Sequence, residues 1–251
     1  MLLAFATGLA RTRLVAYPEA ILSDAHEAVF AGLVARRKDG EPIAYLLGER
    51  EFHELTLRVT PDVLIPRPET ELLVDFAQEA LPAGGAVLDL GTGSGAIALA
   101  IRRQHPEARV VAVDRSAAAL AVGQENASRL GLQVEFLEGD WFEPVNGRRF
   151  DLIVSNPPYV AQGDRHLAEG DVRFEPRMAL VSGVDGLDAI RIIAAAGPAH
   201  LLRGGWVAIE HGQGQDAAVR SLLAAAGLES VSSRPDLAGI ARISFGQYNP
   251  E

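Results

Sequence analysis

The chain of 251 residues contains no cysteine, so it has neither a disulfide framework nor a thiol nucleophile. No apolar run approaches the roughly 20 residues that a membrane-spanning helix needs, and we expect no membrane partner. The apolar start, Met1–Ala6, has no basic residues ahead of it, and Arg11 and Arg13 follow too soon for a signal peptide. We therefore expect a cytoplasmic protein.

Positive charge is also scarce, because the net charge is −10 and the only lysine is Lys38. Proteins that bind nucleic acid tightly without sequence preference neutralise phosphates with a basic stripe. This sequence has no such stripe, so we expect no direct binding of nucleic acid. The 6 histidines show no metal-ligand spacing, and we expect no metal ion.

The pattern of apolar residues divides the chain into three parts. The first part is helical, with Ser23 as the N-cap of a helix over Asp24–Arg37. Alternation over Glu51–Val59 predicts a small hairpin that turns at His53-Glu54, followed by a proline-rich junction. We predict a helical domain over residues 1–48, a hairpin and proline-rich linker over 49–67, and a larger domain over 68–251.

The larger domain alternates strands and helices, which predicts an α/β fold with a doubly wound, mostly parallel sheet. After a first helix over Glu69–Ala80, the candidate strands are Ala86–Leu90, Arg109–Val113, Val134–Leu137, Phe150–Ser155 and Gly205–Glu210. The candidate helices are Gly95–Gln104, Ser116–Leu130, Leu187–Leu202 and Asp216–Ala226. Two further strands, near Glu229–Ser233 and Ala241–Phe245, bring the total to seven and form an antiparallel edge. Ligands of such sheets bind at the carboxyl ends of the strands.

A turn of unusual composition, Asn156-Pro157-Pro158-Tyr159, follows the buried strand Phe150–Ser155. Two prolines cannot continue a sheet, because neither has an N–H to donate. The carbonyl groups of Asn156 and Pro157 are therefore left facing the carboxyl edge of the sheet, with an aromatic ring nearby. Two acceptors beside a ring face can hold a planar –NH2 group. In isolation the motif is better explained as a strand-ending turn, but the rest of the chain favours the binding role.

A glycine-rich loop, Gly91-Thr92-Gly93-Ser94-Gly95, lies between the first strand of the domain and a helix. Its glycines permit a tight turn and a close approach of a ligand to the backbone. The loop also fits the dinucleotide pattern G-x-G-x-x-G/A, with Asp114 at a suitable distance to bind a ribose. The loop can also be a turn that only packs the helix and binds no ligand.

Asp89 helps to choose between a dinucleotide and S-adenosylmethionine as the cofactor. A carboxylate at the mouth of the loop would repel a diphosphate, whereas it suits the positive charge of S-adenosylmethionine. Asp114 is placed to accept hydrogen bonds from both ribose hydroxyls. Asp140 and Trp141 follow the third strand, where an acid can accept from the adenine amino group and a ring can cover its face. We predict that the cofactor is S-adenosylmethionine.

Two motifs together resemble the class I methyltransferases that act on a planar –NH2 nitrogen: Asp89–Gly95 and Asn156–Tyr159. Adenine methyltransferases of nucleic acids share this pair. The flanking segments Pro42–Gly48, Glu51-Phe52 and Leu64–Glu71 are similar to the junction of the HemK-type (PrmC) release factor glutamine methyltransferases. So are Glu175-Pro176, Ala179-Leu180, Asp185–Leu187 and Asp236–Gly239. The resemblance extends from about residue 1 to about residue 246.

This resemblance implies methylation of the side-chain amide nitrogen of the glutamine in the Gly-Gly-Gln motif of class 1 peptide chain release factors. By position, it implies donor contacts from Gly91, Thr92, Gly93, Ser94, Gly95, Asp114, Trp141 and Asn156. It implies substrate contacts from Asn156, Pro157, Pro158 and Tyr159, of which Asn156, Pro157 and Tyr159 are the expected catalytic residues. Family members usually have a longer N-terminal domain, so we expect residues 1–48 to be a shortened substrate-docking domain. We expect a monomer.

Three other functions are open at this point. An adenine amino-group methyltransferase of DNA or RNA would share the N-P-P-Y turn, but the acidic composition and the junction segments disfavour it. A nicotinamide-dependent oxidoreductase would use the glycine loop and leave the N-P-P-Y turn unexplained. No sequence feature supports a noncatalytic binding module.

Overall fold

The computed structural model describes residues 1–250. The first part of the chain forms four helices: α1 (Leu2–Thr7), α2 (Arg11–Ala16), α3 (Asp24–Lys38) and α4 (Ile43–Leu47). Ser23 accepts a hydrogen bond of 3.3 Å from the backbone N–H of His26, which confirms the predicted N-cap. Helix α3 buries only Leu33. Helix α4, in contrast, packs Ala44 and Tyr45 into an apolar cluster with residues of the junction and of a later helix. Helix α4 therefore attaches this part to the rest of the molecule.

A short antiparallel hairpin follows, made of β1 (Glu49–Phe52) and β2 (Leu55–Arg58). His53 and Glu54 have φ angles of 44° and 64°, as a two-residue turn between twisted strands requires. This confirms the predicted turn. A 3-10 turn over Pro68–Thr70 then leads from the junction into the next helix.

The remaining elements form a sheet of seven strands with helices on both faces. In chain order they are α5 (Glu71–Ala80), β3 (Ala86–Leu90), α6 (Ala96–Gln104), β4 (Arg109–Asp114), α7 (Ala117–Leu130), β5 (Glu135–Glu138), β6 (Phe150–Ser155), α8 (Asp188–Ala196), β7 (Leu201–Glu210), α9 (Asp216–Ala225), β8 (Glu229–Pro235) and β9 (Ala241–Gln247). The strand order is β5-β4-β3-β6-β7-β9-β8. The first five strands in this order are parallel, and β9 is antiparallel to both of its neighbours. This confirms the predicted fold class.

The central strand β3 is buried along its whole length, and two apolar clusters fill the space between the sheet and its two helical layers. The chain runs outward from β3 to β4 and β5, then returns to the other side of β3 with β6. This reversal opens a crevice at the carboxyl ends of β3 and β6, the usual place for a ligand. Within residues 1–250, no helix is both long and apolar enough to cross a bilayer.

The predicted helix over Leu187–Leu202 is wrong in its last part. Helix α8 ends at Ala196, a 3-10 turn covers Gly197–His200, and β7 already begins at Leu201. Pro198 cannot donate a helical hydrogen bond, which is the physical reason for the early end. Leu201 instead lies opposite Phe150 at the start of the sheet pairing.

Candidate active site

A cavity of about 350 Å³ lies at the carboxyl edge of the sheet, between the ends of β3, β4, β5 and β6. Nine of the residues predicted from the sequence line it: Gly91, Thr92, Gly93, Ser94, Asp114, Asp140, Trp141, Asn156 and Pro158. Three others, Gly95, Pro157 and Tyr159, are not in its lining. The donor-side and acceptor-side motifs therefore face one shared space, although they are far apart in the sequence.

The glycine loop is held by backbone hydrogen bonds. The N–H groups of Gly91 and Thr92 both donate to the carbonyl of Val113, at 2.9 and 3.0 Å. Gly95 has a φ of 82°, and a Cβ there would lie 3.0 Å from Leu99 Cδ1 and 3.4 Å from Gly123 Cα. Gly95 therefore serves the packing of α6 against α7, and it shapes the loop from below the cavity.

The prediction that Asp89 stands at the mouth of the loop is wrong. Its side chain is fully buried, because every residue of the central strand is covered on both faces. The Oδ2 atom accepts hydrogen bonds from Thr92 Oγ1 at 2.6 Å and from the Ala98 N–H at 3.2 Å. Burial raises the pKa of Asp89 to about 7. Asp89 thus supports the loop and the first turn of α6 from beneath, and it does not line the cavity.

Asp114 lies at the end of β4 and faces the cavity. Its two carboxylate oxygens accept hydrogen bonds of 2.9 Å from the N–H groups of Gly93 and Ser116. Burial raises its pKa, while these backbone hydrogen bonds and the charge of Arg115 lower it. A carboxylate offers about four acceptor positions, so acceptor capacity remains for hydroxyl groups in the cavity.

Trp141 forms the wall that continues from β5. Its φ of 47° is the left-handed conformation, which is costly for a bulky residue and is found mainly where a site imposes it. A Cβ on Gly91 would lie 3.8 Å from Trp141 Cζ3, so the indole ring borders the glycine loop. Asp140 also lines the cavity and is exposed. An aromatic face and an exposed acid are thereby presented side by side, as predicted from the sequence.

Two carbonyl groups of the N-P-P-Y turn have no hydrogen-bond donor in the described part of the chain, and one of them, the side-chain carbonyl of Asn156, belongs to a residue in the cavity lining. Asn156 Nδ2 donates a hydrogen bond of 3.0 Å to Thr70 Oγ1. The Asn156 Oδ1 atom accepts no hydrogen bond from any group of residues 1–250. The backbone carbonyl of Pro157 accepts no hydrogen bond from any group of residues 1–250. That the two carbonyl groups together hold an –NH2 group stays a prediction, since Pro157 does not line the cavity.

Tyr159 lies behind the turn. Its hydroxyl donates to Glu210 Oε1 at 3.2 Å, and its backbone carbonyl accepts from Gln215 Nε2 at 3.1 Å. Burial and the charge of Glu210 raise its pKa. The predicted position of the ring beside a substrate stays a prediction, since the ring packs against the apolar cluster on one face of the sheet.

Three supporting residues were not predicted as part of the site. Thr70 accepts a hydrogen bond from the Asn156 side chain, and Glu210 accepts one from the Tyr159 hydroxyl. Asn126 of α7 connects the hairpin to the glycine loop by hydrogen bonds. The Oδ1 atom of Asn126 accepts from the Arg58 N–H at 2.7 Å, and Nδ2 donates to the carbonyls of Arg58 and Ser94 at 3.0 Å. No local pattern marks these polar residues, because each acts on a segment that is distant in the sequence.

A segment after the N-P-P-Y turn forms a further wall of the cavity with Pro176, Met178, Ala179, Val181, Ser182 and Gly183. Glu175 precedes this wall, and its buried side chain pairs with Arg67 of the junction. Burial raises the pKa of Glu175, and the charge and hydrogen bond of Arg67 oppose that rise. The ion pair fixes the wall to the proline-rich junction.

The order of the seven strands and the position of the cavity match the fold of methyltransferases. Residues 68–172 match the family model of the methyltransferase small domain. A methyltransferase from Pyrococcus furiosus aligns over 88% of this chain and 100% of its own, with a TM-score of 0.62 and 18% identity. A 16S rRNA methyltransferase of T. thermophilus, solved with AdoMet and guanosine, aligns over 80% of this chain and 50% of its own, with a TM-score of 0.61 and 24% identity. At such identities these structures show the fold alone.

The sequence relatives are more specific. Residues 1–48 match the PrmC N-terminal domain. The release factor glutamine methyltransferase of Bordetella pertussis is 54% identical over 249 residues, which are 98% of this chain and 92% of the relative. The chain belongs to the family of release factor glutamine methyltransferases.

Proposed function

We propose that this protein transfers a methyl group from S-adenosylmethionine to the side-chain amide nitrogen of the glutamine in the Gly-Gly-Gln motif of class 1 release factors. The observation that carries the proposal is the single cavity shared by the glycine loop, Asp114 and Asn156 in a chain of this family. A release factor as substrate implies action in the cytoplasm. It requires no direct contact with nucleic acid, in keeping with the net charge of −10.

The residues present fit the methyl donor. The glycine loop lets a ligand approach the backbone, and at Gly93 a Cβ would meet no atom within 4 Å. Asp114 would accept from the ribose hydroxyls, and Trp141 would cover the adenine. When bound, S-adenosylmethionine supplies a methyl group that is attached to a positively charged sulfur. The sulfur compound is the leaving group and becomes a neutral thioether.

The acceptor side would act mainly by positioning. An amide nitrogen is a poor nucleophile, because its lone pair is delocalised into the carbonyl. Asn156 Oδ1 and the Pro157 carbonyl would each accept one amide hydrogen and thereby direct the nitrogen lone pair at the methyl group. Pro158 would form the adjacent wall, and Tyr159 would support the turn and favour the positive charge that develops on nitrogen.

The proposal is tested by incubating a purified class 1 release factor with this protein and S-adenosylmethionine, followed by mass analysis of the Gly-Gly-Gln peptide. We expect one added methyl group on the motif glutamine. A release factor whose motif glutamine is replaced serves as the control and should remain unmodified. Methylation of both proteins, or of neither, would contradict the proposal.

A further inference from the structure

One side chain, that of Gln215, joins the end of the N-P-P-Y turn to two other segments at the carboxyl edge of the sheet. Gln215 lies directly before α9, in the loop that follows β7. Its Nε2 atom donates hydrogen bonds of 3.1 Å to the Tyr159 carbonyl and 3.3 Å to the Asp185 carbonyl. Its Oε1 atom accepts a hydrogen bond of 2.7 Å from the Gly212 N–H. Both polar atoms of the amide are therefore paired with backbone groups.

These partners determine which way the Gln215 amide points. A carbonyl oxygen only accepts hydrogen bonds, and a backbone N–H only donates them. A rotation of the amide by half a turn would place its oxygen against two carbonyl groups and its –NH2 group against an N–H. Only the observed orientation makes all three contacts hydrogen bonds, so the side chain is a fixed connection between the three segments.

The N-P-P-Y turn depends on such connections, because its two prolines have no N–H to donate. At the start of the turn, Asn156 Nδ2 donates to the 3-10 turn that precedes α5. At its end, the Tyr159 carbonyl accepts from Gln215. The N–H of the same peptide group belongs to Val160 and donates to the Leu180 carbonyl at 2.8 Å. Gln215 thus makes one of the two backbone contacts that place the end of the turn.

The second carbonyl, that of Asp185, belongs to the segment that leads into α8. Gly186 of this segment has a φ of 79°, and a Cβ there would collide with the Tyr159 carbonyl oxygen and lie 2.8 Å from Gln215 Nε2. Glycine permits both this conformation and this close approach. Helix α8 begins two residues later, and its first two residues line the cavity. Gln215 therefore connects the acceptor turn to a wall of the cavity.

We propose that Gln215 is a positioning residue that sets the place of the N-P-P-Y turn relative to the start of α8, and thereby the place of the substrate amide. The inference rests on the proposed function, in which Asn156 Oδ1 and the Pro157 carbonyl accept the hydrogens of that amide. The prolines make the turn stiff, so a displacement at Tyr159 is passed on to both acceptors. A displacement of about 1 Å can lower a rate about a hundredfold.

The donor side of the cavity has separate supports. Gln215 and its three backbone partners do not line the cavity. The glycine loop is held by the Val113 carbonyl and by Asp114. Loss of the Gln215 contacts should therefore lower kcat and leave the binding of S-adenosylmethionine unchanged, a pattern that a general loss of structure does not give.

The first test measures methylation of a class 1 release factor by Gln215→Glu and Gln215→Met, with both substrates saturating. Glu keeps the acceptor for the Gly212 N–H, but its ionised form has no hydrogen for the two carbonyls. Met has a similar length and makes none of the three hydrogen bonds. We expect kcat to fall about tenfold or more in both variants, while the Kd for S-adenosylmethionine, measured by titration calorimetry, stays within about twofold of the parent value.

The matched control is Gln213→Glu. It introduces the same charge at an exposed position two residues away, and it should keep the parent kcat. All rates are compared at one pH, because burial raises the pKa of the nearby Glu210 to about 7.

A second pair of variants disturbs the Tyr159 carbonyl without changing Gln215. Gly186→Ala places a methyl group against this carbonyl and should also lower kcat at an unchanged donor Kd. Gly227→Ala is the control, since Gly227 has a similar φ of 82° and a Cβ there would meet no atom of residues 1–250 within 4 Å. It carries the same backbone strain and should keep the parent kcat. If melting temperatures show that the Gln215 variants do not fold, this pair decides.

Two outcomes would overturn the inference. The first is a kcat within about twofold of the parent in the folded Gln215 variants or in Gly186→Ala. The second is a donor Kd that weakens as strongly as kcat falls, which would make Gln215 a general support of the fold. In both cases the parent still methylates the motif glutamine, so the proposed function stands. A parent protein that leaves this glutamine unmodified would contradict the proposed function itself, and the inference with it.

Discussion

At the scale of single residues, the proposed donor site has one carboxylate, that of Asp114, in the cavity lining near the glycine loop. Asp114 joins Gly93 and Ser116 through its two oxygens and keeps acceptor capacity toward the cavity. Replacement of Asp114 by Ala leaves hydroxyl and backbone groups without an acceptor. We expect S-adenosylmethionine to bind about 1–3 kcal/mol more weakly, as measured by titration calorimetry, and we expect no binding of NAD to the parent protein.

A matched control is available on the neighbouring strand. Glu138 lies in register with Asp114, is exposed and does not line the cavity. Replacement of Glu138 by Ala should leave the donor affinity unchanged. An equal affinity in the Asp114 and Glu138 variants would remove Asp114 from the donor site.

The sequence allowed a good prediction of the residues that line the cavity, because strand ends are visible as the ends of apolar runs. Asp114, Trp141 and Asn156 were found in this way. Asp89 was misplaced, since the sequence of a buried strand does not say that its one acid turns inward. Thr70 and Glu210 were not predicted, because their partners lie in distant parts of the chain and only the folded sheet brings them together.

At the scale of elements, the glycine loop and α6 behave as one unit that is held from below by Asp89. Burial raises the pKa of Asp89 to about 7 in the folded protein, from 3.8 for an aspartate in water. Between about pH 4 and pH 7 the folded state therefore binds more protons than the unfolded state, and this group reduces stability as the pH rises. The uncharged Asp89→Asn variant lacks this dependence.

We expect the parent protein to lose stability between pH 5 and pH 8 as Asp89 ionises, whereas Asp89→Asn does not have this loss. The difference in the free energy of unfolding between the two proteins should therefore change by a few kcal/mol in favour of Asp89→Asn, since one pKa unit is worth about 1.4 kcal/mol. Denaturant unfolding at the two pH values measures the difference. Glu210 is present in both proteins, so its contribution to the pH dependence of the free energy of unfolding cancels in the comparison. A difference that does not vary with pH would show that Asp89 is already ionised at pH 5.

The elements of the larger domain were predictable because apolar strands and amphipathic helices alternate in a regular way. The strand order and the antiparallel edge agree with that pattern. The exception is the segment after α8, where apolar residues continue past Gly197-Pro198 and resemble more helix. Backbone chemistry at Pro198 determines the outcome there, since the proline cannot donate the hydrogen bond that a continuing helix needs.

At the scale of the whole molecule, the helical part contacts the segment that joins the N-P-P-Y turn to the wall beginning at Pro176. Arg37 pairs with Asp171 at 2.8 Å, and Arg173 donates to the backbone carbonyl of Asp39 at 2.6 Å. This part also leaves several large apolar side chains exposed, namely Met1, Phe5, Val15, Tyr17, Ile21 and Val29. Exposed apolar side chains in this number suit a protein partner.

Deletion of residues 1–40 should therefore raise the KM for the release factor more than the KM for S-adenosylmethionine. The truncation retains α4, whose Tyr45 packs in the junction cluster and donates to the Val63 carbonyl at 2.7 Å. Steady-state kinetics with each substrate varied in turn gives both constants. A larger effect on the donor would contradict a docking role for this part of the chain.

The central claim is that Asn156 orients the amide nitrogen that is methylated. Asn156→Ala should keep the fold and lose most of kcat, with the KM for the donor little changed, because positioning acts in the transition state. Asn156→Asp keeps the shape and adds a charge beside the second acceptor, so we expect at most a modest advantage over Ala. Tyr159→Phe retains the ring and should be far milder.

The most direct measurement is the rate at which Asn156→Ala methylates the motif glutamine of a class 1 release factor, compared with the parent and with Tyr159→Phe. Mass analysis of the Gly-Gly-Gln peptide over time gives this rate at saturating donor. We predict a large loss for Asn156→Ala beside a nearly normal rate for Tyr159→Phe. A rate for Asn156→Ala close to that of the parent would contradict the role of the N-P-P-Y turn and the mechanism built on it.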